Sequence, residues 1–159
     1  MTVNRNGLFM PPDRGSSYWF GGDLYTIKAA GEDTGEVYAL FEALIQPQGG
    51  TPPHTHHRED ESFFIREGEL VFRLDEQTIV ATTGTFLYSP KGQLHSFTNI
   101  SSTPAKLLIW VTPAGFEKFL AEVGVARENQ VTPAPPLNPA DLDRIVTVAK
   151  NYGIEILPP

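Results

Sequence analysis

Three of the four histidines in this chain fall within four positions, beside a run of carboxylates. The stretch reads HTHHREDE, from His54 to Glu61. His54 and His56 are two residues apart, so on a β-strand their side chains lie on the same face, while His57 lies on the opposite face. Imidazole and carboxylate groups together suit borderline divalent metal ions. The spacing therefore suggests a ligand pair, with an ordinary polar surface as the alternative.

Three carboxylates follow the histidines, at Glu59, Asp60 and Glu61. The next residues, SFFIRE, read as a buried strand that ends at Gly68. A carboxylate at this point would stand at the mouth of a β structure together with the histidine pair. From the residues alone, all three carboxylates remain candidates, and His57 is interpreted as a solvated neighbour.

The fourth histidine, His95, follows a turn that contains Pro90 and Gly92. Phe97 lies two residues further on and shares its strand face. Taken alone, this position predicts a half-buried strand histidine that bonds a backbone carbonyl.

Short apolar runs of about five residues recur at about ten-residue spacing between residues 18 and 111. Turn signals such as Gly21-Gly22 and Asp75-Glu76 separate them. No stretch in this range has the length and 3.6-residue period of a helix. The pattern predicts an all-β sandwich or barrel over residues 18–112, preceded by an irregular arm over residues 1–17.

Two helices are predicted after the strands, in an extension over residues 113–159 that packs on the barrel. The first helix is predicted to begin at Thr112-Pro113 and to end at Gly124. Its apolar face comprises Phe116, Phe119, Leu120 and Val123. The second runs from Asn138-Pro139 to Gly153, with an apolar face of Leu142, Ile145, Val146, Ala149 and Tyr152.

Charge and composition exclude several functions. The formal net charge of −7 makes nucleic acid or an anionic membrane an unsuitable partner. The absence of cysteine excludes disulfides, thiol catalysis and thiolate metal sites. No run approaches the roughly 18 apolar residues of a membrane span, and the N-terminus lacks an apolar signal core. We therefore predict a cytoplasmic protein that acts on a small molecule.

The two histidine segments together resemble the two conserved motifs of the cupin superfamily. The first reads His54-x-His56-x4-Glu61-x6-Gly68, and the second reads Gly84-x5-Pro90-x-Gly92-x2-His95-x3-Asn99. The first motif departs from the family pattern only at its start, where Gly49 and Gly50 stand closer to the histidines than the family's leading glycine. The short gap between the motifs is typical of bacterial cupins.

The resemblance implies a double-stranded β-helix, the cupin jelly roll, with two C-terminal α-helices. It implies one divalent transition metal per chain (Fe, Mn, Ni, Co, Cu or Zn) held by His54, His56, Glu61 and His95. Glu61 is preferred over its two neighbours because it alone stands seven residues before Gly68. Around this site an apolar wall is predicted, with a plain core role as the alternative for each member: Phe63, Phe97 and Trp110.

The whole chain resembles single-domain bacterial cupins of the quercetin-dioxygenase-like group. This implies a metal-dependent dioxygenase for a small aromatic or enol-containing molecule, with Glu61 as both ligand and proton acceptor. A metal-dependent isomerase or lyase for a small oxo-compound or sugar is one alternative, and a non-catalytic small-molecule-binding cupin is another. The open sheet edges and apolar sheet face predict a homodimer.

Overall fold

A computed structural model describes residues 6–130 and 133–158 of the chain. In chain order its elements are β1 (Ser17–Phe20), β2 (Asp23–Ala29), α1 (Gly31–Thr34), β3 (Ala39–Ile45), β4 (Gly50–His56), β5 (Asp60–Glu67), β6 (Glu69–Leu74), β7 (Gln77–Thr82), β8 (Phe86–Ser89), β9 (His95–Asn99), β10 (Ala105–Thr112), α2 (Phe116–Val123), β11 (Val125–Ala126), α3 (Pro139–Asn151) and β12 (Ile154–Ile156).

The strands form two antiparallel sheets. The larger has the order β11-β1-β2-β3-β10-β5-β8, and the smaller has the order β12-β4-β9-β6-β7. Side chains of both sheets meet in one hydrophobic core; Phe63 of the larger sheet, for example, packs edge-on against Phe72 of the smaller one at 5.0 Å between ring centroids. The all-β prediction is confirmed, and the core lies between the two sheets.

The inward faces of the central strands follow the two-residue alternation of β-strand geometry. In β3 the odd-numbered positions from Ala39 to Ile45 are buried, and the even-numbered ones are half-buried. In β10 the odd-numbered positions from Ala105 to Val111 are buried in the same way. This alternation fixes which side chains can reach the interior of the sandwich.

The first C-terminal helix begins later than predicted. Thr112 ends β10, and α2 begins at Phe116, with Gly115 in the capping position. The predicted start at Thr112-Pro113 is therefore wrong, because these residues form the end of a strand and the turn after it. The predicted end of this helix at Gly124 is confirmed, since the backbone N–H of Gly124 donates a hydrogen bond to the carbonyl of Leu120.

The second helix matches the prediction at its start. Asn138 accepts a hydrogen bond from the backbone N–H of Asp141, and Pro139 occupies the first turn. Ile145 and Ala149 are buried on its inner face, whereas Leu142 is 49% exposed. Among the residues described, the helix is followed by a strand that the sequence did not predict: β12 pairs with β4, placing Ile156 opposite His54.

The described part of the N-terminal arm folds back on its own sheet. Lys28 of β2 donates hydrogen bonds to the carbonyl oxygens of Pro11 at 2.7 Å and Arg14 at 2.9 Å. The first five residues of the predicted arm lie outside the described residues. None of the helices in the described ranges is both long and apolar enough to cross a membrane.

Candidate metal centre

Four side chains from three strands converge between the two sheets. His54 and His56 come from β4, His95 comes from the adjacent β9, and Glu61 comes from β5 in the facing sheet. Each offers a ligand atom, and these atoms all lie within 4.8 Å of one another. All four side chains are buried. The structure thus brings together the four residues that the sequence motifs single out, and this cluster could hold a metal ion.

The start of β4 is fixed by two local features. Gly50 has a φ of +140°, and a Cβ at this position would lie 1.9 Å from the carbonyl oxygen of Phe97 on β9. The carboxylate of Asp23 accepts hydrogen bonds from the backbone N–H groups of Gln46 and Gly50, both at 2.9 Å. Burial raises the pKa of Asp23 to about 6, against the lowering effect of these two bonds. Together these contacts set the register in which the strand delivers its histidines.

Each of the three clustered histidines has a partner for its Nδ1 atom. The ring of His54 donates to the carbonyl of Pro52 at 2.8 Å. That of His95 lies 3.1 Å from the carbonyl of Gln93, and that of His56 lies 2.7 Å from a carboxylate oxygen of Glu59. Once Nε2 has lost its proton, donation from Nδ1 leaves the Nε2 lone pair free to bind a metal. Such outer partners orient metal-binding histidines in metalloproteins.

The inner nitrogens of two histidines face the carboxylate of Glu61. Nε2 of His95 lies 2.8 Å and Nε2 of His56 lies 3.1 Å from the same oxygen of Glu61. Nε2 of His56 is fully buried and has no hydrogen-bond partner among the described residues. A buried polar atom without a partner is costly unless something satisfies it. A divalent transition metal fits these groups, and three nitrogens with one oxygen leave coordination positions open.

Without a metal, the charges of the cluster are coupled. Burial alone would lower the pKa of His56, but the carboxylates of Glu61 and Glu59 outweigh it and raise that pKa to about 10. Burial alone would raise the pKa of Glu61, but His56 and His95 hold it well below its usual range. Burial and the neighbouring imidazoles lower the pKa of His54 to about 3, so His54 is neutral and ready to act as a ligand.

A family model described as a cupin domain matches residues 41–112. This range contains the whole cluster and both motifs. The matched segment of the chain is a cupin domain. It is 25% identical over 139 residues to quercetin 2,3-dioxygenase of Bacillus subtilis (strain 168), a match that covers 87% of this chain and 41% of that enzyme. The chain therefore spans less than half the length of this curated relative.

Solved structures share the fold of this cupin at low sequence identity. KdgF from Halomonas sp. matches with a TM-score of 0.63 and 14% identity, over 70% of this chain and 98% of that one. A predicted oxalate decarboxylase from Thermotoga maritima matches with a TM-score of 0.62 and 16% identity, over 67% and 99%. These likenesses concern the fold alone, and they confirm the predicted jelly roll.

The remaining polar candidates of this cupin lie outside the cluster. Glu59 is buried but bonds the outer nitrogen of His56, so it supports a ligand and is not one of the four. Asp60 is half-buried and accepts a hydrogen bond from the backbone N–H of Lys91 at 2.8 Å. His57 is exposed, as interpreted from strand parity, and lies 3.1 Å from a carboxylate oxygen of Glu155. The role of Glu59 could not be predicted, because nothing in the sequence indicates which of Glu59 and Asp60 would bond a histidine.

The predicted apolar wall is present only in part. Phe63 is buried with its ring centroid 6.0 Å from that of His95, and Phe97 is buried 5.9 Å from Phe63. Trp110 does not belong with them. It lies on the opposite face of β10 from the buried odd-numbered positions and packs against the exposed Phe86, 5.9 Å between ring centroids. The prediction for Trp110 is corrected accordingly.

An aromatic residue from the C-terminal extension approaches the cluster instead. The ring of Phe116, at the first turn of α2, lies edge-on to His56 at 5.5 Å. The sequence placed Phe116 on the apolar face of a helix, but no signal indicated that this face covers the histidines. The position follows from the docking of α2 against the core, which a single sequence does not reveal.

Proposed function

We propose that this cupin is a metal-dependent dioxygenase that acts on a small aromatic or enol-containing molecule. The observation that carries the proposal is the buried cluster of three histidines and one glutamate beside a mainly apolar pocket lined by His54 and Phe116. The likeness to quercetin 2,3-dioxygenase of Bacillus subtilis supports the choice of reaction. Fold alone does not fix function, so the proposal depends on the site.

The four ligands would hold one divalent ion, and the open positions would admit substrate. The ion would supply Lewis-acid polarisation of a substrate hydroxyl, and a redox-active ion, which Zn is not, would also supply one-electron chemistry toward dioxygen. Around it, Phe63 and Phe116 pack against the imidazole rings and exclude water from the cluster. A dry site strengthens each electrostatic interaction within it.

Glu61 is proposed to take the proton of the substrate hydroxyl as well as to act as a ligand. Among the described residues, the basic groups close to its carboxylate are the imidazoles of His95, at 2.8 Å, and His56, at 3.1 Å. In the metal-free cluster these imidazoles hold the pKa of Glu61 well below its usual range, so the carboxylate is ionised but weakly basic. A positioned general base of this kind contributes typically ~10²–10⁴-fold to a rate.

The test compares wild type with Glu61→Gln at equal metal occupancy. Oxygen uptake is measured with quercetin, smaller phenols and enols as substrates. The proposal predicts uptake by wild type and a loss of about 100-fold or more in the variant. Uptake at equal rates would reject the proton-acceptor role. Turnover under nitrogen without oxygen uptake would reject the dioxygenase in favour of an isomerase or lyase.

A further inference from the structure

A pocket on the side of the C-terminal helices reaches the candidate metal centre at one ligand. His54 is part of its lining, whereas the other three ligands are not. Phe116 of α2 lines the same pocket, together with apolar side chains of α3 and β12. Leu142 in its wall is 49% exposed, so the pocket is open to solvent on this side. A molecule that enters here therefore meets the cluster first at His54.

The ring of Phe116 lies where this pocket ends and the deeper ligands begin. Phe116 lines the pocket, and its ring is also edge-on to the imidazole of His56 at 5.5 Å between ring centroids. Nε2 of His56 is fully buried. The ring thus occupies the space that a bulky molecule would need in order to pass from His54 toward His56.

The position of Phe116 is fixed by its neighbours. Its ring packs edge-on against Phe41 at 5.5 Å and at a tilt against Phe119 at 5.7 Å. The next residue, Glu117, is buried and accepts a hydrogen bond from the backbone N–H of Gly31 at 3.3 Å, which ties the start of α2 to α1. Because protein interiors are close-packed, these contacts leave the ring little room to move aside.

The aromatic ring beside His95 has a different environment. Phe63 lies edge-on to His95 at 6.0 Å, but it is fully buried between the two sheets. It packs against Phe72 at 5.0 Å and Phe97 at 5.9 Å, both of them core residues. Phe63 therefore closes the cluster on its core side, whereas Phe116 combines contact with a ligand and a place in the lining of a solvent-connected pocket.

We propose that Phe116 determines the size of the molecules that reach the open coordination positions of the metal centre. A small ligand passes beside the ring, and a ligand with a bulky group is rejected, because the ring cannot shift without disturbing Phe41 and Phe119. Overpacking of this kind is unfavourable in a well-packed site. The inference rests on the metal centre of the proposed function, but it does not depend on the reaction with dioxygen.

The test uses the cobalt-loaded protein, because the visible spectrum of Co²⁺ changes when an added ligand binds the ion. Imidazole and phenylimidazole are the probes, since both offer the same nitrogen donor and differ in size. Wild type is expected to bind imidazole and to bind phenylimidazole more weakly. Phe116→Ala should strengthen phenylimidazole binding at least about tenfold and change imidazole binding less than about twofold. Phe116→Leu, which keeps more of the apolar volume, should give a smaller gain in the same direction and serves if Phe116→Ala does not fold.

Leu142→Ala is the matched control, because it removes an apolar side chain from the wall that α3 contributes to the same pocket. It should change phenylimidazole binding less than about threefold. Equal phenylimidazole affinity in wild type and the Phe116 variants, or an equal gain in Leu142→Ala, would overturn the role of Phe116. An equal gain for both probes would also overturn it, because it would show general loosening of the site.

The cobalt experiment also separates this inference from the proposed reaction. Selection by size without any oxygen uptake would reject the dioxygenase alone and support the role of Phe116. Oxygen uptake without any selection by size would reject the role of Phe116 alone. Failure of wild type to bind cobalt would overturn the inference together with the metal centre on which it rests.

Discussion

His56 and His57 are adjacent in sequence, and each pairs with a glutamate in a different environment. The partner of His56 is Glu59, at 2.7 Å, and both side chains are buried. The partner of His57 is Glu155, at 3.1 Å, and both side chains are largely exposed. Strand alternation alone produces this difference, because it turns one imidazole into the core and the next into solvent. Only the buried pair can orient a metal ligand.

We expect Glu59→Gln to weaken metal binding about 10–100-fold, the usual effect of removing an outer partner of a metal-binding histidine. The amide still fills the space, so the fold should remain, but the imidazole of His56 loses its carboxylate partner. Metal affinity measured by competition with a chelator checks this. Glu155→Gln is the matched control, and it should bind metal like wild type because exposed ion pairs contribute little. Equal affinities in the two variants would show that Glu59 has no positioning role.

At the scale of elements, the approach of β4 to β9 determines whether the histidines reach the cluster. Gly50 permits this approach, since any Cβ there would collide with the backbone of Phe97. Gly22 also has a positive φ, of +92°, but a Cβ there would meet nothing within 4 Å. The two glycines therefore separate the effect of a backbone collision from the effect of conformational strain.

Gly50→Ala should lower the free energy of unfolding by about 2 kcal/mol or more, because the two strands must move apart. Gly22→Ala should cost only about 1 kcal/mol, from the strained φ. Thermal and urea unfolding of the metal-free proteins measure both changes. We also expect Gly50→Ala to bind metal more weakly, while Gly22→Ala retains wild-type affinity. Similar losses of stability and of metal affinity in both variants would contradict the role given to the close approach of β4 to β9.

The sequence predicted the elements that carry the ligands better than those that surround them. His54, His56 and His95 could be placed on strands because their motifs combine turn residues with two-residue alternation. Trp110 could not be assigned a face, because both faces of β10 carry apolar side chains and the period-two signal disappears. The strand β12 was not predicted because it has only three residues, and its pairing with β4 is a long-range contact.

At the scale of the whole molecule, an aromatic patch lies on the outer face of the larger sheet. Its members share one face of neighbouring strands: Phe64, Phe86, Tyr88 and Trp110. The first three are substantially exposed. Exposed clusters of aromatic side chains are typical of protein interfaces. This patch is where the homodimer expected from the sequence would form.

We expect Phe86→Lys to convert a wild-type dimer into a monomer of 17.5 kDa in light scattering at micromolar concentration. A charge at the centre of an apolar interface would be buried without a partner. Val80→Lys is the matched control, because Val80 has the same exposed fraction as Phe86, 57%, and lies on the smaller sheet. It should remain dimeric. A monomeric wild type, or dissociation by Val80→Lys alone, would contradict this assignment.

The central claim is that four side chains from both sheets hold one divalent transition metal. The most direct test is the metal content of wild type and His95→Ala after loading with Fe, Mn, Ni or Zn and desalting. We predict one ion per chain in wild type for at least one of these metals. We predict that His95→Ala loses most of that metal, because the substitution removes one of the four ligand side chains. Failure of wild type to retain any of the metals, or equal retention by both proteins, would contradict the account.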